Sequence, residues 1–362
     1  MSRRSFLRWL LVAAASLIGL SAGFAKWFSK HAFVEQETAQ AATSIPGTPS
    51  PELPSGDIST VQTAALGEPL LSYFVFSDLH ISSLDSATSI KLKQALDDLK
   101  SFDSKVEAIF MTGDLTDTGT AQDFKVLRTI LDSYKLPPYH ANMGNHDYYS
   151  VWLNKNNAWD KDTFPNGKSD ALSREQFNKF FGYKKPYNEV NLNGYTFLLL
   201  SQETYIQEKP EVGEGAWYSD EQLKWLTERL AASYDPARPI FVMIHQPLPA
   251  IGDDGGTHQL IRAKEFRRIL KPYKNVFVLC GHRHMDFQNG TPHYVKETFH
   301  YFHNSSVGRP LNRNFQAETK TKSQGYYVQV YADKIVFRGR EFSDRSFLQE
   351  AEWTIDLQPA KA

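Results

Sequence analysis

The chain has 362 residues, of which 41% are hydrophobic and 13% aromatic, enough for one large domain with a buried core and an N-terminal extension. Its 40 Lys and Arg against 41 Asp and Glu leave a net charge of -1, which argues against a general nucleic-acid binder with a basic face, so no specific nucleic-acid partner is expected. A single cysteine, Cys280, excludes an intramolecular disulfide and, at the end of the apolar run Val276-Phe277-Val278-Leu279, reads as a small buried hydrophobe.

The start, Met1-Ser2-Arg3-Arg4-Ser5-Phe6-Leu7-Arg8, followed by the uncharged Leu- and Ala-rich stretch Trp9 to Ala25, resembles a twin-arginine export signal. The twin-arginine translocase is therefore an expected partner, and the expected location is extracellular or at the cell surface. Ala39-Gln40-Ala41 fits a cleavage site. Alternatively residues 9–25 stay as a membrane anchor, giving membrane contact through the N-terminal segment. No cysteine stands directly after the stretch, which argues against a lipoprotein anchor. The signal or anchor takes residues 1–42. Residues 43–69, with Ile45-Pro46-Gly47-Thr48-Pro49-Ser50-Pro51, form a Ser/Pro-rich linker, and the catalytic domain takes residues 70–358.

In the domain, Tyr73 to Phe76 reads as a buried strand ending in Ser77-Asp78-Leu79-His80. Ile90 to Leu99 has helical period. Ala108 to Met111 is a second strand, ending in Thr112-Gly113-Asp114, and Ala121 to Tyr134 a second helix. Tyr139 to Met143 is a third strand, ending in Gly144-Asn145-His146-Asp147. Val151 to Lys185 reads as an insertion near the mouth of a site, with a helix at Ser173 to Phe181. A strand at Tyr195 to Leu200 precedes a helix at Ser219 to Ser233, with Ser219 as its N-cap and Gln222 three residues on. A strand at Ile240 to Ile244 ends at His245. After a helix at Ala263 to Leu270, a strand at Val276 to Leu279 ends at Gly281-His282-Arg283-His284. Tyr326 to Val330, Ile335 to Arg338 and Trp353 to Leu357 alternate as antiparallel strands.

Successive buried strands thus end in polar clusters, where open α/β sheets place their ligands. Asp78, His80, Asp114, Asn145, His245, His282 and His284 offer carboxylate, imidazole and one amide oxygen, a donor set for borderline or hard divalent metals. Seven donors are too many for one tetrahedral ion and suit two ions sharing a carboxylate.

The ordered set Asp78-Leu79-His80, Gly113-Asp114, Gly144-Asn145-His146-Asp147, His245 and Gly281-His282-Arg283-His284 resembles the calcineurin-like metallophosphoesterase superfamily, over roughly Phe74 to His284. The resemblance implies a four-layer α/β/β/α sandwich. It implies one ion on Asp78, His80 and His284, a second on Asn145, His245 and His282, and Asp114 bridging. His146 then acts on the phosphate or leaving group, and Asp147 orients it. The implied reaction is phosphoester hydrolysis of a small substrate by a metal-bridging hydroxide. Purple acid phosphatases are similar but carry a tyrosine ligand three residues after the bridging aspartate. Here that residue is Asp117, which argues against an iron–tyrosinate site and leaves two divalent ions of Mn, Fe or Zn. The twin-arginine route carries folded proteins, so the metals could be loaded before export.

Gly-Asn-His-Asp followed by Tyr resembles the phosphodiesterase branch. The alternatives are a phosphomonoesterase, a nucleotide pyrophosphohydrolase, or a non-catalytic metal-binding surface protein. Tyr148, Arg309 in the loop Asn304 to Arg309, and His258 in the glycine-rich loop after His245 are candidate substrate contacts.

Overall fold

Leu71–Phe76 (β1) is buried along its whole length and alternates between two cores: Phe74 and Phe76 face helices, while Leu71, Tyr73 and Val75 face a second sheet. That alternation sets the architecture. The computed structural model describes residues 67–317 and 319–357. The export signal, its cleavage site, the anchor and the linker up to residue 66 lie outside the described residues.

β1 runs parallel to β2 (Ala108–Thr112), and β2 to β3 (Tyr139–Asn142). Between them come α1 (Ala87–Lys100) and α2 (Ala121–Asp132). After α3 (Asp170–Phe181) the chain enters a second sheet. This comprises β4 (Asn188–Leu192), β5 (Tyr195–Leu199), β6 (Ile240–Met243), β7 (Val276–Cys280), β8 (Tyr294–Lys296) and β9 (His300–His303). α4 (Asp220–Ser233) and α5 (Ala263–Leu270) are inserted there. The chain then returns to the first sheet through β10 (Gln324–Val330), β11 (Lys334–Glu341) and β12 (Ser346–Asp356). The strand orders are β12-β11-β10-β1-β2-β3 and β4-β5-β6-β7-β9-β8.

The inner faces pack through aromatic rings. Tyr73 sits edge-on to Phe110, Phe197 and Phe241 at 5.0 to 5.4 Å, and Phe110 stacks on Phe197 at 4.1 Å. Outside, Leu92, Leu96, Phe124 and Phe177 cover the first sheet, and Leu223, Leu226, Phe266 and Leu270 cover the second. The result is the expected four-layer α/β/β/α sandwich.

Three strands were not expected. β4 is the polar edge segment Asn-Glu-Val-Asn-Leu, half-buried and without an apolar signature. β8 is only three residues long, and β9 is rich in histidine. Ser219 caps α4 as expected, accepting from the Gln222 amide at 3.1 Å. Cys280 is fully buried in the second sheet's outer core beside the Tyr301 hydroxyl at 3.1 Å, and burial pushes its thiol up to about 12, so it is an unreactive core residue.

A buried ion pair ties α1 to β11: Arg340 Nε and Nη2 each donate to the Asp98 carboxylate at 2.8 Å. Asp98→Ala strands the guanidinium and should lower stability by about 3–5 kcal/mol. Urea denaturation would show this as a lower midpoint at unchanged slope.

Candidate active site

The register aligns the strand ends. Phe76 pairs with Met111, Thr112 with Asn142, Met243 with Leu279, and Cys280 with His303. The loops after β1, β2, β3, β6 and β7 therefore emerge along one edge. They interlock through backbone bonds: Asp78 N donates to Gly113 O (3.2 Å), His80 N to Asp114 O (3.0 Å) and Gly281 N to His245 O (3.0 Å).

The seven expected donors meet there, in two groups. Asp78, His80, Asp114 and His284 form one, and Asp114, His245 and His282 the other, so Asp114 is common to both. In the first, His284 Nε2 lies 3.1 Å from Asp78 Oδ1 and 2.9 Å from His80 Nε2. In the second, His245 Nε2 lies 3.2 Å from Asp114 Oδ2. Asn145 joins it, with its Oδ1 3.0 Å from His282 Nδ1. Thr112 O accepts from His245 Nδ1 at 2.7 Å, which fixes the ring with Nε2 turned to the Asp114 carboxylate.

Five of these residues have left-handed backbone: Asp78, His80, Asp114, His282 and His284, with φ between 47° and 73°. Such a conformation costs of order 1–3 kcal/mol per residue and persists only where the surroundings hold it. Here the His282 amide is held by both Asp78 carboxylate oxygens, at 3.0 and 3.1 Å. Two left-handed residues separated by one bring Asp78 and His80, and likewise His282 and His284, into the same site.

The donor set fits two divalent cations. His282 Nε2 is buried with no hydrogen-bond partner, a costly state unless a cation accepts its lone pair, and His245 Nε2 is turned to the Asp114 and Asp78 carboxylates at 3.2 and 4.0 Å. Burial, reinforced by the His146 and Arg309 charges, drives His80 down to about 3, so its ring is neutral. Burial opposes ionisation of Asp114, yet the neighbouring His245 and His146 hold it well below the usual carboxylate range.

Close packing explains two motif glycines. A Cβ on Gly144 would meet Asp114 Oδ1 and, at 2.7 Å, His245 Cδ2. One on Gly281 would meet Ser77 Oγ and, at 2.5 Å, Asp78 Oδ2. Gly281→Ala should cost about 1–3 kcal/mol by overpacking. It should also weaken cation binding by displacing Asp78. Thermal unfolding with and without Mn separates the two effects, since only the second reduces the shift that Mn produces.

The expected orienting role of Asp147 is corrected. Its carboxylate accepts from Thr116 N (3.0 Å), Thr116 Oγ1 (2.8 Å) and Gly144 N (3.0 Å), and burial with the Asp114 charge raises it to about 7. It ties the β2 and β3 loops together and makes no bond to the His146 ring. His146–Trp152 winds into a 3-10 helix, which turns Asp147 inward. The His146 ring is held instead by Asp117: Nδ1 lies 2.9 Å from the Asp117 carbonyl and 3.7 Å from its Oδ1.

Tyr148 is also corrected: it is a core residue, fully buried, with its hydroxyl donating to Gln202 O at 2.7 Å. Tyr149 faces the site, its ring 4.0 Å from that of His146. Arg309 reaches the site but is paired to Asp117 Oδ1 at 2.8 Å. His258 is at the rim, 6.3 Å from the His282 ring. The insertion is at the mouth, where Trp159 packs 5.5 Å from Tyr149. Sequence reasoning missed the roles of Asp117 and Glu214. Asp117 carried a signal, three residues beyond Asp114. Glu214, 2.8 Å from Asn145 Nδ2, carried none.

A four-layer sandwich whose parallel strands end in two donor groups sharing one aspartate is a candidate dimetal site. The chain belongs to the calcineurin-like phosphoesterase family, whose model matches residues 71–286. Among solved structures it is similar to a dimetal phosphatase from Danio rerio (13% identity, TM-score 0.55, covering 80% of this chain and 100% of that one). It is also similar to a purple acid phosphatase from yellow lupin (Lupinus luteus) seeds (13% identity, TM-score 0.53, covering 79% of this chain and 53% of that one). At that identity the likeness is one of fold. Among curated proteins nothing matches significantly.

Proposed function

We propose that the chain is an exported, two-metal phosphodiesterase. The observation that carries the dinuclear reading is Asp114, common to both donor groups, with His146 beside them. Two divalent cations, when bound, polarise a phosphoryl oxygen and acidify a water nucleophile. Asp78, His80 and His284 would hold one, Asn145, His245 and His282 the other, and Asp114 both. His146, anchored through Nδ1, presents Nε2 to the leaving oxygen. Its ring is packed between Tyr149 at 4.0 Å and His80 at 4.4 Å, which fixes its direction.

Charge around the donors favours a diester over a monoester. Arg309 is neutralised by Asp117, and Glu214 places a further carboxylate against Asn145. A monoester dianion meets no unpaired cation from these residues, whereas a diester brings a single charge.

With Mn, turnover of bis-p-nitrophenyl phosphate should exceed that of p-nitrophenyl phosphate. A strong monoester preference would sink the diesterase reading, and no turnover of either ester would favour a metal-binding surface protein. For export, replacing Arg3 and Arg4 by Lys should trap the protein inside the cell. Continued export would reject the twin-arginine assignment.

A further inference from the structure

Asn145 is the one expected ligand that can present the wrong end. Its amide carries an oxygen with lone pairs and, at nearly the same size and shape, an NH₂ that can only donate. A half-turn of the side chain replaces a ligand by a repelling dipole, so something must select the orientation.

The surroundings make the selection. Asn145 Nδ2 donates to Glu214 Oε2 at 2.8 Å and to the Tyr149 hydroxyl at 3.1 Å. Its Oδ1 faces His282 Nδ1 at 3.0 Å and Gln246 Nε2 at 3.4 Å. Glu214 also receives the Tyr149 hydroxyl on Oε2 at 2.7 Å and the Tyr205 hydroxyl on Oε1 at 2.8 Å. Tyr205 is fixed in turn by Trp152 Nε1, which donates to it at 3.0 Å. Burial, then the Glu214 charge, pushes both phenols well above their ordinary value, so both stay O–H donors.

The segment carrying Glu214 is pinned by the loop that follows β6 and His245. Ala216 N donates to Gln259 O at 3.0 Å, and Ile261 N to Ala216 O at 2.9 Å. A Cβ on Gly215 would meet Gln259 O and Gly256 O, both at 2.8 Å, so the two loops are in backbone contact. Val212 and Ala216, on either side, are fully buried.

We infer that Glu214 is a positioning residue for the second cation. It holds the Asn145 amide with Oδ1 turned to the His245–His282 group and seats the Tyr149 ring against His146. This rests on the dinuclear reading. Outer partners that orient metal ligands typically govern affinity by 10- to 100-fold.

The test is Mn titration of the full chain, followed by calorimetry and by the electron paramagnetic resonance signal of the coupled Mn pair. The wild type should bind two Mn. Glu214→Ala should keep the first at unchanged affinity and weaken the second by about 10- to 100-fold. The pair signal should then appear only at higher Mn. Glu214→Gln, near-isosteric and with one acceptor oxygen left, should show a smaller, several-fold loss and serves if the alanine variant fails to fold.

Asn145→Asp separates orientation from general support, because either oxygen of a carboxylate can ligate. In that background the Glu214 substitutions should no longer weaken the second site. Equal losses in both backgrounds would make Glu214 a structural prop and overturn the inference, as would unchanged second-site affinity in the single variants. A wild type that binds fewer than two Mn would instead overturn the dinuclear reading itself.

Discussion

Asp114→Asn should remove tight binding of both cations and lower kcat/KM on a diester by roughly a thousandfold or more, since metal charge supplies several kcal/mol of transition-state stabilisation and each 1.36 kcal/mol is tenfold in rate. The reason is geometric. Asp114 Oδ2 lies 3.2 Å from His245 Nε2 and 3.8 Å from His80 Nε2, between the two imidazole sets. Its Oδ1 accepts from the His146 amide at 2.9 Å. Both oxygens are therefore engaged, and an amide can supply only one of them. The substituted NH₂ would face either a donor nitrogen or the backbone N–H of His146, and neither can accept from it in the ligating state. The loss should thus extend beyond metal affinity to the placement of His146. Mn titration alongside steady-state kinetics checks both parts. Two Mn bound at wild-type affinity would mean that Asp114 is not shared.

His146→Ala should have the second-largest effect and a different signature. The His146 side chain belongs to neither of the two shared-aspartate donor groups, so both Mn should remain. The rate should fall by roughly 100- to 10,000-fold where the leaving group needs a proton. A p-nitrophenolate leaving group needs none, so bis-p-nitrophenyl phosphate should lose far less than an alkyl diester. Comparing kcat across leaving groups tests the proton-donor role directly. A uniform loss across the series would assign His146 to phosphate binding instead. Asp117→Asn keeps the carbonyl anchor on Nδ1 and changes only the carboxylate, so its loss should be the smaller one.

Much of this fold was legible because buried parallel strands are short apolar runs, and Leu71–Phe76, Ala108–Thr112, Ile240–Met243 and Val276–Cys280 all declare themselves that way. The helices announced themselves by period and, at Ser219, by a cap. β4 and β8 were illegible because an edge strand is half-solvated and needs no apolar pattern.

The donor chemistry was legible for a related reason. Metal ligation restricts residue type, and each motif follows a strand, so Asp78, His80, Asp114, Asn145, His245, His282 and His284 could be gathered from the sequence. Which side chain meets which was not. Asp147 follows His146 directly, yet the helical turn there sends it to Thr116 and Gly144. The His146 ring takes its anchor from Asp117, on another loop. Tyr148 and Tyr149 are neighbours in sequence, but one is core and the other lies on the His146 ring. Glu214 reaches Asn145 from the loop between β5 and α4, and nothing local to either residue predicts the meeting. The sequence by itself determined most of the buried strands and the candidate donor residues, because these depend on local pattern and residue chemistry, while the four layers were implied by the family resemblance. The tertiary structure decided the orientation of those donors, because left-handed turns and contacts between distant loops set the direction in which each side chain points.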